Sequence, residues 1–210
     1  MKGRLITFEG TEGCGKSTQL ARLAERLRAD GAEVVVTREP GGTPLGEDIR
    51  HLLKHADSGQ GMCPEAEVLL FAASRAQHVR AVIRPALAAG KTVLCDRFLD
   101  STTVYQGAAR KLPANQVAAL NAFAVEGCLP DMTFVLDIPA EVGLQRAWKR
   151  TCEAPDRMEQ EELACYQAVR QGLLDLAAAE PERFAVIDGT LKIDAVSAAI
   201  DTALSQKFST

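Results

Sequence analysis

RLITFEGTEGCGKSTQLARLAERLRAD, Arg4 to Asp30, decides the fold. Its centre, GTEGCGKS from Gly10 to Ser17, matches G-x-x-x-x-G-K-[ST], the phosphate-binding loop. The apolar run before it, Leu5–Glu9, reads as a buried strand. After it, Leu20, Leu23, Ala24 and Leu27 recur at helical spacing. Glycines let successive backbone N–H groups turn inward on a phosphate chain, and the helix N-terminus adds its partial positive charge. Gly10, Thr11, Glu12, Gly13, Cys14, Gly15, Lys16, Ser17 and Thr18 are thus the expected triphosphate cradle. Lys16 is suited to the β- and γ-phosphates and the Ser17 hydroxyl to Mg²⁺.

Further apolar strand candidates follow at Val34–Arg38, Thr92–Asp96, Thr133–Ile138 and Phe184–Asp188, with helical stretches between them. Alternation of this kind predicts an α/β fold: three layers, a five-stranded parallel sheet with helices on both faces. The spacing predicts one long helix over Pro64–Ala89, perturbed near Pro85, and another over Arg157–Ala179. Gly31, Gly90 and Gly189 punctuate element ends. Ligands gather at the carboxyl ends of such strands, where Glu9, Arg38, Asp96 and Asp137 fall.

The composition narrows the class. The chain has 210 residues, 47% apolar, enough for one domain with a sizeable core. No apolar stretch approaches ~18 residues, so no membrane span is expected, and MKGRLITFEG is too short in apolar residues for a signal peptide. A net charge of −4 argues against a general nucleic-acid surface. Six cysteines include no C-x-x-C pair, which fits reduced thiols and a cytoplasmic location. His51 and His55 lie four apart, but Leu52 breaks the H-E-x-x-H metal pattern.

Two more clusters carry chemistry. REPGGTPLG, Arg38 to Gly46, ends a strand in an arginine and a turn; alone it reads as a surface loop. CDRF, Cys95 to Phe98, ends the next strand. An Asp96 so placed can hold Mg²⁺, directly or through water, and Arg97 can hold a second phosphate, or the two form a surface ion pair. Arginine forks at 38 and 97 suit an acceptor that already bears phosphate. A hydrolysing switch needs no second anion site, but remains the alternative of another class, beside kinases for other nucleotides.

FEGTEGCGKST, TREPGGT, LLFAASRAQH, DRFLDSTTVYQG, PDMTFVLDIP and DRMEQE together resemble, in order, the bacterial thymidylate kinase family, spanning Phe8 to Glu161. The resemblance implies phosphoryl transfer from ATP to dTMP, giving dTDP for dTTP synthesis, with Mg²⁺, in a homodimer. It implies that Arg38 and Arg97 hold the acceptor phosphate and that Phe71 stacks on thymine. It also implies that Arg75 meets the base carbonyl, that Ser101, Thr102, Tyr105 and Gln106 wall the acceptor site, and that Glu12 sits near the deoxyribose 3′-hydroxyl. By residue type alone, Phe71 and Arg75 would be a core aromatic and a solvated charge. The loop carries no arginine of its own. Arg146, Lys149 and Arg150 share a helical face, with Arg157 beyond, in a lid expected at about 146–157. Arg150 is the expected catalytic cation beside Lys16, Asp96 and Arg97. The segment TCEAP, Thr151 to Pro155, departs from a strongly basic lid, and the alternative is a solvated basic face.

Overall fold

The computed structural model describes residues 3–150 and 162–208. In chain order its elements are β1 Arg4–Glu9, α1 Lys16–Ala29, β2 Val34–Arg38, α2 Pro44–Lys54, α3 Pro64–His78 and α4 Arg84–Ala88, then β3 Thr92–Asp96, α5 Leu99–Thr102 and α6 Ala114–Val125. They continue as β4 Met132–Asp137, α7 Ala140–Arg150, α8 Leu163–Ala179, β5 Phe184–Asp188 and α9 Ile193–Phe208. The five strands form one sheet in the order β2-β3-β1-β4-β5. Every pairing is parallel, with Phe8 opposite Asp96 on one side and Phe134 on the other. This is the expected three-layer α/β architecture.

Both faces of β1 are covered, which is why its sequence reads as a continuous apolar run. Ile6 and Phe8 face Leu20, Leu23, Phe134, Leu136 and Ile200, filling the space under α1 and α9. Leu5 belongs to the opposite layer with Val79, Ile83, Val93, Phe98 and Val125. Full burial of each large apolar side chain contributes about 1.5–3 kcal/mol, and Phe8 packs on Phe134 with ring centroids 5.2 Å apart.

Helix α1 buries Leu20, Leu23 and Ala24, with Leu27 packed at the edge of the same layer. It stops where Gly31 turns to φ 87°. There Gly31 N–H bonds Arg28 O and Ala32 N–H bonds Leu27 O, the paired closure that a left-handed glycine makes possible.

Chain order in the sheet positions the site. From β1 the chain crosses to β2 and returns to β3 on one side, then supplies β4 and β5 on the other. The connections diverge at the carboxyl end of β1, the switch point where an open parallel sheet leaves a crevice.

Some expected boundaries shift. The fourth strand begins and ends one residue earlier than its apolar run suggests. The long helix expected over 64–89 is interrupted: α3 gives way to a π-helical turn, Val79–Ile83, before α4. Pro85 has no N–H to bond back into a preceding helix, and it lies in the first turn of α4, where none is needed. The expected helix 157–179 is described from Leu163 onward; residues 157–161 lie outside the described residues. Residues 146–150, whose cations are expected on one helical face, complete the last turn of α7. The remainder of the lid, 151–157, lies outside the described residues. Among the described residues no helix is long and apolar enough to cross a membrane.

Candidate active site

A cavity of about 260 Å³ opens at the carboxyl ends of β1, β2 and β3. It brings together nearly all the expected acceptor and donor residues. Glu12, Gly13, Gly15, Lys16, Ser17, Arg38, Phe71, Arg75, Asp96, Arg97, Ser101, Thr102, Tyr105 and Gln106 all line it. Gly10, Thr11, Cys14 and Thr18 belong to the loop but not to the cavity wall. Glu39 and Pro40 of the REPGG turn and Phe98 of CDRF line it too, together with Arg50 and Lys54, which fall outside those motifs.

The loop leaves β1 and enters α1 through Gly15, at φ 97°. Gly13, at φ 70°, lies so close to the first turn of α7 that a Cβ there would stand 2.0 Å from Gly143 O. The lack of side chains at both positions lets the loop rest on α7. The Lys16 ammonium lies over the loop, donating to Gly10 O at 3.0 Å and Thr11 O at 2.9 Å. The Ser17 hydroxyl donates to Asp96 Oδ2 at 2.8 Å. One neutral and one anionic oxygen therefore stand side by side where helix meets strand end. Hard oxygen ligands of this kind suit Mg²⁺.

Arg97 turns sharply off β3, with φ 66°, while its N–H donates to Phe8 O at 2.9 Å. Its guanidinium meets Glu12 Oε1 at 2.6 Å, donates to Ser101 Oγ at 3.2 Å and sits over the Tyr105 ring, 5.1 Å from the centroid. Burial pushes the Glu12 carboxyl up, but Arg97, then Lys16 and Lys54, outweigh it and hold the group down at about 2. The Tyr105 hydroxyl is sealed and has no hydrogen-bond partner among the described residues. Arg38 is half exposed and pairs with Glu47 at 2.7 Å.

Phe71 and Arg75 lie one turn apart on α3, both on the cavity wall. Arg75 is not a solvated charge: its side chain is 1% exposed. Its Nε donates to Glu39 at 2.8 Å and Nη1 to Asn121 Oδ1 at 2.9 Å. Its Nη2 donates to Phe98 O at 3.2 Å and Thr102 Oγ1 at 3.0 Å. Glu39 also pairs with His78 Nδ1 at 3.0 Å, so the carboxylate that grips this arginine is itself held from two directions.

Glu9 ends β1 directly before the loop and is fully buried. It accepts from Phe98 N at 2.8 Å, Ser101 N at 3.2 Å and Ser101 Oγ at 2.6 Å, tying the Arg97 turn to β1. Burial first, then Asp100, raise its carboxyl to about 7, against Arg97, Ser101 and the Phe98 N–H. Asp137, the other acid noted at a strand end, is engaged elsewhere: Arg170 grips it at 2.6 and 2.9 Å.

Of the expected lid cations, Arg146 donates to Gly189 O at 3.0 Å, and Lys149 is exposed in the last turn of α7. Arg157 and the side chain of Arg150 lie outside the described residues.

The thymidylate kinase family model matches residues 8–200. A thymidylate kinase of Geobacter sulfurreducens is 52% identical over 202 residues, covering 94% of both chains. One of Desulfosudis oleivorans is 55% identical over 188 residues, covering 87% of both. The crystal structure of thymidylate kinase from Ehrlichia chaffeensis superposes with a TM-score of 0.80 at 33% identity, covering 97% of this chain and 100% of that one.

Proposed function

The chain belongs to the thymidylate kinase family, and from that premise we propose how one cavity carries out the reaction: phosphoryl transfer from ATP to dTMP, giving ADP and dTDP for dTTP synthesis. The observation that carries the reading is the meeting of two sets of groups in a single cavity. The loop with Lys16 and Ser17–Asp96 lies on one side, and Arg97, Phe71 and Arg75 line the same space.

ATP lays its phosphates along the loop N–H groups, and Lys16 exchanges its two carbonyl contacts for phosphate oxygens. Ser17 and Asp96 would hold Mg²⁺, which would supply charge compensation for the phosphate oxygens. Arg38 and Arg97 receive the dTMP phosphate. Phe71 stacks on the thymine ring, and Arg75 donates to its carbonyl. Glu12, kept ionised by Arg97, accepts from the 3′-hydroxyl, and Tyr105 with Ser101, Thr102 and Gln106 closes the wall. Transfer then rests on fixed charge and position rather than on covalent chemistry, as phosphoryl transfer requires. Arg150 supplies the lid cation. Its support is local: α7 starts against the loop at Gly143, and Arg150 follows about 10 Å along the helix at 1.5 Å per residue.

The enzyme works as a cytoplasmic homodimer in this reading. Leu69 on α3 and Phe123 on α6 are 54% and 85% exposed, and these two helices pack against each other. That apolar face supports a two-fold contact between copies.

The test is ADP formation from ATP with dTMP, dUMP, UMP, dCMP and AMP in parallel. Preference for dTMP is expected, with dUMP behind by roughly 10–200-fold or less for one methyl group. Equal or better use of AMP would remove the thymidylate reading.

A further inference from the structure

Glu67 is a buried carboxylate with no part in the chemistry above. It sits on α3 one turn before Phe71, 1% exposed, and outside the cavity wall. Gln106 donates Nε2 to Glu67 Oε1 at 3.0 Å, and Arg110 Nε approaches the same oxygen at 3.4 Å.

The consequence follows from donor and acceptor inventory. A carboxylate only accepts, whereas a carboxamide accepts on one limb and donates on the other. Reversing the Gln106 amide would set its carbonyl oxygen against the carboxylate, replacing a charge-assisted bond by repulsion. Glu67 therefore fixes which limb of Gln106 faces it. The other limb, the carbonyl oxygen, has no hydrogen-bond partner among the described residues. Unlike the Tyr105 hydroxyl, it is not sealed away, so it is an open acceptor on a residue that lines the cavity.

An unused donor lies on another residue of the same cavity wall, Arg75. A guanidinium carries five N–H groups, and the four bonds of Arg75 leave one on Nη1. Thr102, which Arg75 grips, is one turn before Gln106 on the same helical stretch. The wall thus carries one unused donor, on Arg75, and one unused acceptor, on Gln106. A 4-oxo pyrimidine with a protonated N3 presents the complement, an acceptor next to a donor. Cytosine presents an amino donor next to a bare N3, and both contacts become like against like.

We propose that Glu67 is a specificity-positioning residue: by holding the Gln106 amide in one orientation, it commits the pocket to 4-oxo pyrimidines and excludes cytosine. This rests on the dTMP reading above.

The test measures kcat/KM for dTMP and dCMP in wild type, E67Q, Q106L and the double variant, each with a melting curve. The E67Q side chain keeps its volume but can donate as well as accept, so the Gln106 amide is free to reverse. The dTMP-to-dCMP ratio should fall about tenfold in E67Q, chiefly through KM. It should fall at least as far in Q106L, and adding E67Q to Q106L should change it by under about twofold. An unchanged ratio in folded E67Q, or full additivity in the double variant, overturns the proposal. If E67Q does not fold, Q106L decides: a lost ratio supports the proposal and a wild-type ratio overturns it. A wild-type enzyme that prefers dCMP to dTMP would instead overturn the acceptor reading itself.

Discussion

Glu12 and Arg97 join two strand ends: the carboxylate from the loop after β1 meets the guanidinium from the turn after β3 at 2.6 Å. The pair fixes the charge on both sides of the acceptor cavity, and Glu9, three residues before Glu12, anchors the same turn through Phe98 and Ser101. The two carboxyls titrate in opposite senses.

Their pH signatures should therefore differ. Glu12 is held down from 4.5 to about 2, so its ion pair stabilises the fold above pH 4.5 and is lost as pH falls towards 2. Glu9 is raised from 4.5 to about 7, so its contribution is complete below pH 4.5 and is lost as pH rises through 7. Melting temperature against pH should flatten on the acid side in E12Q. In E9Q it should lose the decline between pH 4.5 and 7 that Glu9 causes. Variant curves parallel to wild type would contradict both assignments.

Lys16→Ala should lower kcat by at least 10²–10³-fold, the loss typical of one oriented donor at developing charge. The fold should survive, because Lys16 bonds only loop atoms. Steady-state turnover and circular dichroism check the two halves; normal turnover in a folded variant would remove Lys16 from the reaction.

Phe71→Ala should weaken dTMP binding by about 1–3 kcal/mol, the range for base stacking on an aromatic ring, and leave ATP binding near wild type. Calorimetry with each ligand separates stacking from packing. A lower melting temperature with unaltered dTMP affinity would assign Phe71 to the core.

Arg150→Ala should reduce kcat more than dTMP affinity, because the cation acts on charge that develops during transfer. A supplied arginine is worth ~10³–10⁵ in rate in related phosphoryl transfer; Lys149 in the same turn argues for the lower end. Single-turnover transfer that is unaffected in a variant lacking Arg146, Lys149, Arg150 and Arg157 would return these residues to a solvated face.

The residues that read most clearly in the sequence are those whose chemistry is local. Gly13 and Gly15 are needed for left-handed backbone, Lys16 and Ser17 follow them in register, and Asp96 ends an apolar run. The supporting carboxylates leave no local signal. Glu67 on α3 and Glu39 after β2 look like ordinary surface acids. Their burial depends on Gln106, 39 residues away, and on Arg75, 36 residues away. Residue type alone hides the burial of Arg75 for the same reason, since only the folded chain supplies its four acceptors. The π-helical turn at Val79–Ile83 keeps the apolar spacing of a helix, so periodicity alone cannot separate α3 from α4.

The most direct measurement follows the γ-phosphoryl group of isotopically labelled ATP, with and without dTMP. Label should arrive in dTDP in step with ADP, with little orthophosphate and little turnover when dTMP is left out. Label released as orthophosphate at the same rate whether or not dTMP is present would contradict transfer between nucleotides and make this cavity a hydrolase site.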